Sequence, residues 1–279
     1  MHSKHHVRST HFTLRRMSPL IGWLPVTLLS AVACFSPGCT QRVTEPRPDV
    51  APATVEPSTI ELGRSVRGVP VLLHVFGDGQ CSVLIFGAIH GNEPTSADVA
   101  QDLMDYLRAH PTVFAGCTVG VIPVVNPDGL AANTRVNANR VDVNRNFPAS
   151  NWRAPKGRGG RHGEAAASEP ETQALIRAVE LLKPARIVAI HSIPAGKQCN
   201  NYDGPAAELA ELMAQYNAYP VKASIGYPTP GSFGTWAGID GQIPTITLEL
   251  PRNASGPACW EQNRAALLAF IQADRADAR

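Results

Sequence analysis

Residues 82–93, with the sequence SVLIFGAIHGNE, constrain the fold of this chain more than any other stretch. The apolar run 83–86 is typical of a buried strand, and a glycine ends that strand before a turn that contains His90 and Glu93. Pro94 then suits the first turn of a helix, where no backbone N–H is needed. An imidazole and a carboxylate therefore stand at the carboxyl end of a predicted strand, where open α/β sheets bind ligands.

His90 and Glu93 are two of the three protein ligands that a His₂Glu catalytic zinc site requires. Their spacing alone is a weak signal, because both residues are also common in turns and at helix starts. Four of the nine histidines lie in the first 11 residues, and three others fit strand, helix-end and loop positions without a ligand role. His191 is different, because it ends a short apolar strand at 186–190 just as His90 follows the earlier one. The sequence therefore predicts one Zn²⁺ held by His90, Glu93 and His191.

Strands and helices alternate along the chain from about residue 59. The predicted strands are 69–76, 82–89, 118–125, 186–190 and 243–250, and the predicted helices are 94–108, 169–182, 205–217 and 257–273. This alternation predicts a single α/β domain with a mixed, mostly parallel twisted sheet and helices on both faces. Residues 130–167 show no convincing periodicity, and a connection of that length is usually functional or disordered.

The first 39 residues are predicted to form an export signal, and they contain a candidate lipobox. Residues 1–16 are basic and free of acids, and residues 20–35 are mainly apolar but too short for the ~20 residues of a spanning helix. Cys34 and Cys39 each follow small residues, which resembles a bacterial lipobox; a plain signal-peptidase site and a retained membrane anchor are the alternatives. Residues 40–58 are proline-rich and predicted to be a linker, so that the catalytic domain covers 59–279.

The charge of the chain gives no reason to expect a nucleic-acid partner. Residues 1–33 carry four basic residues and no acid, and removing them changes the formal net charge from +2 to −2. Nucleic-acid binding needs a basic face, which a nearly neutral mature protein does not offer.

An exported protein makes disulfides plausible among its four remaining cysteines. Cys81 and Cys117 each precede a predicted strand, so they form a reasonable pair if those strands are neighbours. Cys199 and Cys259 would then be left, and four buried thiols are the alternative.

Three polar side chains outside the predicted ligand set also favour a catalytic site. Glu249 is the single charged residue in the apolar strand 243–250, and a buried carboxylate is costly unless it is paired or functional. It is either a structural ion-pair partner or a general base beside the metal. Arg135 and Arg145 lie in a loop rich in arginine and asparagine, and arginine suits an anionic substrate group or a polarised carbonyl.

The motifs together, in this order, resemble the zinc metallocarboxypeptidase family over about residues 60–275. The shared motifs are HGNE at 90–93, NPDG at 126–129, TR at 134–135, DVNRN at 142–146, HS at 191–192 and TLE at 247–249. The resemblance implies that Glu249 is the general base and that Arg135 polarises the scissile carbonyl. It also implies that Asp142 orients the imidazole of His90, and that Tyr227 is the tyrosine that closes over bound substrate.

The resemblance further implies a substrate with a free C-terminal carboxylate, which Asn144 and Arg145 bind. Gly234 falls at the base of the pocket for the released side chain. Within the family, residues 201–205, 226–238 and 247–251 are most similar to the murein peptide amidases. We therefore expect an exported zinc enzyme of the periplasm or cell envelope that cleaves the γ-D-glutamyl–meso-diaminopimelate bond of small murein peptides.

Three alternatives stay open from the sequence. Two are enzymes on the same scaffold: a general carboxypeptidase for L-peptides and an acyl-amino-acid deacylase. The third is a non-catalytic lipoprotein that binds the cell wall. The complete set of ligand and base residues argues against the third alternative.

Overall fold

A computed structural model of the protein describes residues 54–154 and 161–273, which all lie in one compact unit, Asp49–Arg279. The predicted export signal, both lipobox cysteines and most of the predicted linker lie outside the described residues. Within the described ranges, no helix is long and apolar enough to cross a membrane.

One mixed sheet of eight strands forms the centre of the fold. The strands are β1 Ser58–Arg64, β2 Pro70–Phe76, β3 Cys81–Phe86, β4 Cys117–Ile122, β5 Arg186–Ile193, β6 Cys199–Asp203, β7 Val221–Lys222 and β8 Thr245–Pro251. Their order in the sheet is β1-β2-β4-β3-β5-β8-β6-β7. The central strands β4, β3, β5 and β8 are parallel, whereas β1, β2 and β6 join antiparallel. The predicted α/β fold with a mixed sheet is confirmed.

Helices cover both faces of this sheet. They are α1 Pro94–Ala109, α2 Pro127–Ala131, α3 Pro170–Leu182, α4 Ala207–Asn217 and α5 Gly256–Ile271, with a π-helical segment at Gly234–Asp240. The sequence of β3 is continuously apolar because both faces of this strand are buried. Val83 and Ile85 pack in the core under α1, α4 and α5, and Leu84 and Phe86 pack in the core under α3. A parallel strand buried on both faces requires that pattern.

Several elements differ from the sequence expectation. Strands β1, β6 and β7 and the π-helical segment were not predicted, and the long connection contains the short helix α2 and a 3₁₀ turn, Val143–Arg145. Strand β6 has the sequence CNNYD, which offers no apolar run and no clear alternation. Its pairing with β8 supplies the backbone hydrogen bonds that its composition does not suggest.

Of the two alternatives that the sequence left open for Cys81 and Cys117, the structure shows thiols and not a bridge, although the condition for the bridge is met. Strands β3 and β4 are neighbours, and the two residues face each other in register. All four cysteines of the described residues are nevertheless thiols. Facing side chains of parallel strands project in the same direction, so their Cβ atoms keep the ~4.8 Å spacing of the strands. The Cβ atoms of a disulfide are closer, at about 3.8 Å. The Sγ of Cys81 instead accepts a hydrogen bond from Arg186 at 3.2 Å.

Candidate metal centre

The turn after β3 holds its two ligand candidates in a fixed position. Ala88 has a φ of 46°, in the left-handed region that non-glycine residues rarely adopt. Its N–H donates to Ser96 Oγ at 2.9 Å, and that hydroxyl donates to the carbonyl of Glu93 at 2.6 Å. On the other side of the turn, Gly91 packs so closely on Gly129 that a Cβ atom at position 91 would overlap the Gly129 backbone. Strain held by surrounding contacts is typical of functional sites.

His90, Glu93 and His191 converge on one point at the carboxyl ends of β3 and β5. The Nδ1 atoms of the two imidazoles are 3.2 Å apart, and the Glu93 carboxylate lies 3.1 Å from one and 3.2 Å from the other. All three residues are buried, and their ligand atoms lie within 4.8 Å of one another. Two imidazole nitrogens and a carboxylate facing one small space form the donor set of a catalytic zinc site, so the residues present fit that ion.

The charge state of Glu93 also suits a cation. Burial raises the pKa of its carboxyl, but the facing histidines outweigh burial and hold that pKa well below its usual range. The backbone N–H of Ser192 donates to the same carboxylate at 3.0 Å. Burial lowers the pKa of His90, whereas the charges of Glu93 and Asp142 raise it above its ordinary value.

Asp142 lies behind His90, at the position that the resemblance implies. Its Oδ1 is 3.1 Å from His90 Nε2, and its Oδ2 accepts from Arg135 Nε at 2.8 Å. Burial raises the pKa of Asp142, but the hydrogen bond to His90 and the charge of Arg135 outweigh burial and lower it overall. In a neutral His90 ring, a charged Asp142 favours the tautomer with the proton on Nε2. The lone pair of Nδ1 then faces the cluster, which is how partners of ligand histidines act in metal sites.

Glu249, on β8, lines the same cavity as His90, Glu93 and His191. It faces His191 in the register of β5 and β8 and is only 6% exposed. Burial raises the pKa of its carboxyl, the charge of His191 lowers it and that of Glu93 raises it, with a net increase. A carboxylate with a raised pKa accepts a proton more readily, which suits a general base.

A cavity of about 670 Å³ opens above the cluster. Every predicted site residue except Asp142 lines it; these are His90, Glu93, Arg135, Asn144, Arg145, His191, Tyr227, Gly234 and Glu249. Asn144 Oδ1 accepts from the backbone N–H of Phe233 at 2.8 Å, which joins the 3₁₀ turn to the start of the π-helical segment. Tyr227 lies at the edge of this cavity and is 53% exposed.

Comparison with known proteins decides the family. The model of a family described as zinc carboxypeptidase matches residues 52–216. Murein peptide amidase A of Escherichia coli K12 is 35% identical over 233 residues, which cover 77% of this chain and 90% of that protein. The chain belongs to the zinc carboxypeptidase family. Murein peptide amidase A of Vibrio campbellii is 34% identical to this chain over 244 residues, which cover 82% of this chain and 92% of that protein.

The fold agrees with this assignment. The crystal structure of the murein-tripeptide amidase from Escherichia coli O157 matches with a TM-score of 0.67 and 32% identity, covering 81% of this chain and 96% of that one. This zinc carboxypeptidase is therefore a peptide-bond hydrolase, and its His-Glu-His group is able to hold a metal ion.

The zinc carboxypeptidase fold also brings into the cavity two residues of the 201–205 motif, Asn201 and Asp203, for which the sequence predicted no role. Asp203 on β6 lies against Gly234 and Gly238, where a Cβ atom at either glycine would overlap it. Asp203 therefore occupies part of the space predicted for substrate at Gly234. Burial raises the pKa of Asp203 to about 6, and no described residue donates a hydrogen bond to its side chain. Asn201, on the same strand, has a buried Oδ1 without a partner among the described residues.

Proposed function

We propose that this protein is a zinc enzyme that hydrolyses the γ-D-glutamyl–meso-diaminopimelate bond of murein peptides. The substrate assignment rests on two acceptors that receive no hydrogen bond from the described residues, the Asp203 carboxylate and the buried Oδ1 of Asn201. Both line the cavity that also contains the predicted carboxylate-binding residues. Similarity to proteins named murein peptide amidase supports it.

In this proposal His90, Glu93 and His191 hold the Zn²⁺ ion. When bound there, zinc would act as a Lewis acid that polarises the scissile carbonyl and lowers the pKa of the attacking water. Glu249 takes the proton of that water and returns it to the leaving amine. Arg135, tied to Asp142, directs its guanidinium toward the developing oxyanion.

The released residue is held at both of its ends. Arg145 and Asn144 bind its α-carboxylate, and Tyr227 closes over it. The distal ammonium of meso-diaminopimelate donates to Asp203 and Asn201, which gives each acceptor a partner. A neutral side chain would leave both acceptors unpaired, and each unpaired buried group costs about 1–3 kcal/mol. This cost disfavours a general carboxypeptidase and a deacylase of ordinary acyl amino acids.

A panel of synthetic substrates tests the proposal. It contains L-Ala-γ-D-Glu-meso-diaminopimelate, the same peptide ending in L-leucine, an ordinary L-peptide and an N-acyl amino acid. We expect kcat/KM to be at least about 100-fold higher for the first than for the others, because only it satisfies both acceptors. Equal rates on the peptide ending in leucine would contradict the proposal.

The variant Asp203→Asn is expected to lose this selectivity at pH 8 by about 10- to 100-fold, because an amide cannot pair with an ammonium as a carboxylate does. The wild-type preference should itself fall as the pH drops through about 6, where Asp203 takes up a proton. The exposed Asp78 in the turn before β3 gives the control variant Asp78→Asn. Unchanged selectivity in Asp203→Asn would exclude the carboxylate from substrate binding.

The same variant should be more stable than wild type at pH 8. A carboxyl whose pKa is raised by folding costs stability above its native pKa of about 6 and costs nothing below its unfolded pKa. Removing the charge should add about 1–3 kcal/mol to the free energy of unfolding at pH 8 and almost nothing at pH 3.5. Urea unfolding at the two pH values measures this difference.

We also propose that the enzyme acts outside the cytoplasm. The basic and apolar pattern of residues 1–39 supports export. Lipidation at Cys34 or Cys39 stays a prediction from the same segment.

A further inference from the structure

Arg252 lies at the rim of the cavity in a position that the proposed mechanism does not use. It follows Pro251, the last residue of β8, and its backbone N–H donates to Ile193 at 2.9 Å, so the ladder between β8 and β5 continues through it. Its Nη2 donates to the carbonyl of Ser192 at 2.9 Å. The guanidinium is thus held in place while its side chain stays 43% exposed.

The described residues supply no carboxylate within hydrogen-bond distance of this guanidinium. The nearest is Glu93, whose Oε1 is 3.9 Å from Nη2 and which already faces the two histidines. Arg252 lines the cavity, so its remaining N–H groups are available to a bound molecule. Five donors in a planar fork match the geometry of a carboxylate or a phosphate, and a murein peptide offers the carboxylate.

The register of the sheet places Arg252 on the opposite side of Glu249 from Asp203. Strand β6 runs antiparallel to β8, with Cys199 facing Glu249 and Asp203 facing Thr245. Asp203 is therefore level with a residue four positions before Glu249, about 13 Å along the strand at ~3.3 Å per residue. Arg252 lies three positions after Glu249. If the released residue extends from the reacting carbonyl toward Asp203, the acyl part of the substrate extends toward Arg252.

We infer that Arg252 binds an anionic group on the acyl side of the scissile bond, namely the α-carboxylate of a γ-linked D-glutamyl residue. This inference rests on the proposed function. A γ-linked glutamyl residue differs from an ordinary peptide residue because it carries a free carboxylate a few bonds from the reacting carbonyl. Arg252 is then the residue that distinguishes the γ-linkage, whereas Asp203 distinguishes the residue that leaves.

A pair of substrates isolates this contact. Both are L-Ala-γ-D-glutamyl-meso-diaminopimelate peptides, and they differ only in the α-group of the glutamyl residue, which is a carboxylate in one and a carboxamide in the other. We expect wild-type kcat/KM to be about 10- to 100-fold higher for the carboxylate, the range for a hydrogen bond between charged groups. Arg252→Gln should bring this ratio close to 1, and Arg252→Lys should retain part of it.

Arg264→Gln is the matched control, because Arg264 on α5 is similarly exposed, at 40%, and pairs with Glu261 away from the cavity. It should leave the ratio and both rates unchanged. The inference is overturned if Arg252→Gln leaves the ratio of the two kcat/KM values unchanged. It is also overturned if the variant loses bound zinc and both kcat/KM values fall equally. Either result would mean that Arg252 only supports Ser192 and Glu93. Wild-type enzyme with a ratio near 1 would also overturn it and leave the proposed function intact. Wild-type enzyme that cleaves neither peptide would overturn both.

Discussion

Replacing Glu249 with glutamine is expected to lower kcat by about 10²- to 10⁴-fold, the range for losing a general base. The amide has the size and shape of the carboxylate but cannot take the proton of the attacking water. Because Glu249 is outside the predicted ligand set, the variant should still bind one zinc ion per chain. Steady-state kinetics together with metal analysis of the same preparation measures both quantities.

Glu171→Gln controls for the effect of removing a buried charge. Glu171 is buried like Glu249, and burial likewise raises its pKa. Its carboxylate accepts hydrogen bonds from the Asn137 side chain and from the backbone N–H of Val66, and it does not line the cavity. That variant should keep its turnover. Near-normal turnover in Glu249→Gln would remove Glu249 from the mechanism, and a parallel loss of zinc would make its role structural.

Replacing Arg135 with glutamine is expected to lower kcat by about 10²- to 10³-fold, as for the loss of one oxyanion donor. Its Nη1 lies 3.5 Å from Glu93, which places the guanidinium beside the predicted metal ligands. KM should change less than kcat, because the interaction develops with the charge of the transition state.

The competing explanation for an effect of Arg135 is its hydrogen bond to Asp142. If Arg135 acted only by holding Asp142, and through it His90, the variant would lose zinc affinity and turnover together. We expect zinc affinity to change little, since Asp142 keeps its contact with His90. Arg135→Lys, which keeps the charge but not the planar fork, should recover part of the lost turnover.

The sequence was sufficient to predict the centre of the site because local patterns and strand direction determine it. His90 and His191 each follow an apolar strand of a parallel sheet, and the carboxyl ends of neighbouring parallel strands meet at one edge. The contact between His90 and Asp142 joins residues 52 positions apart, and only the family resemblance indicated it.

The rest of the site depends on pairings that no local pattern reveals. Strand β6 is polar, yet it pairs between β8 and β7 and brings Asp203 under Gly234. From the sequence, the glycine indicated open space; the acidic side chain that fills it comes from 31 positions earlier in the chain. Arg252 was missed for a similar reason, because its place opposite Asp203 follows from the register of β6 against β8.

The central claim is that His90, Glu93 and His191 hold one zinc ion between the ends of β3 and β5. Anomalous diffraction from crystals of the protein, recorded on both sides of the zinc absorption edge, tests it most directly. We predict a single strong peak within bonding distance of both imidazoles and the Glu93 carboxylate, with one ion per chain. A zinc peak elsewhere, or crystals grown with excess zinc that show none at these three residues, would contradict the account.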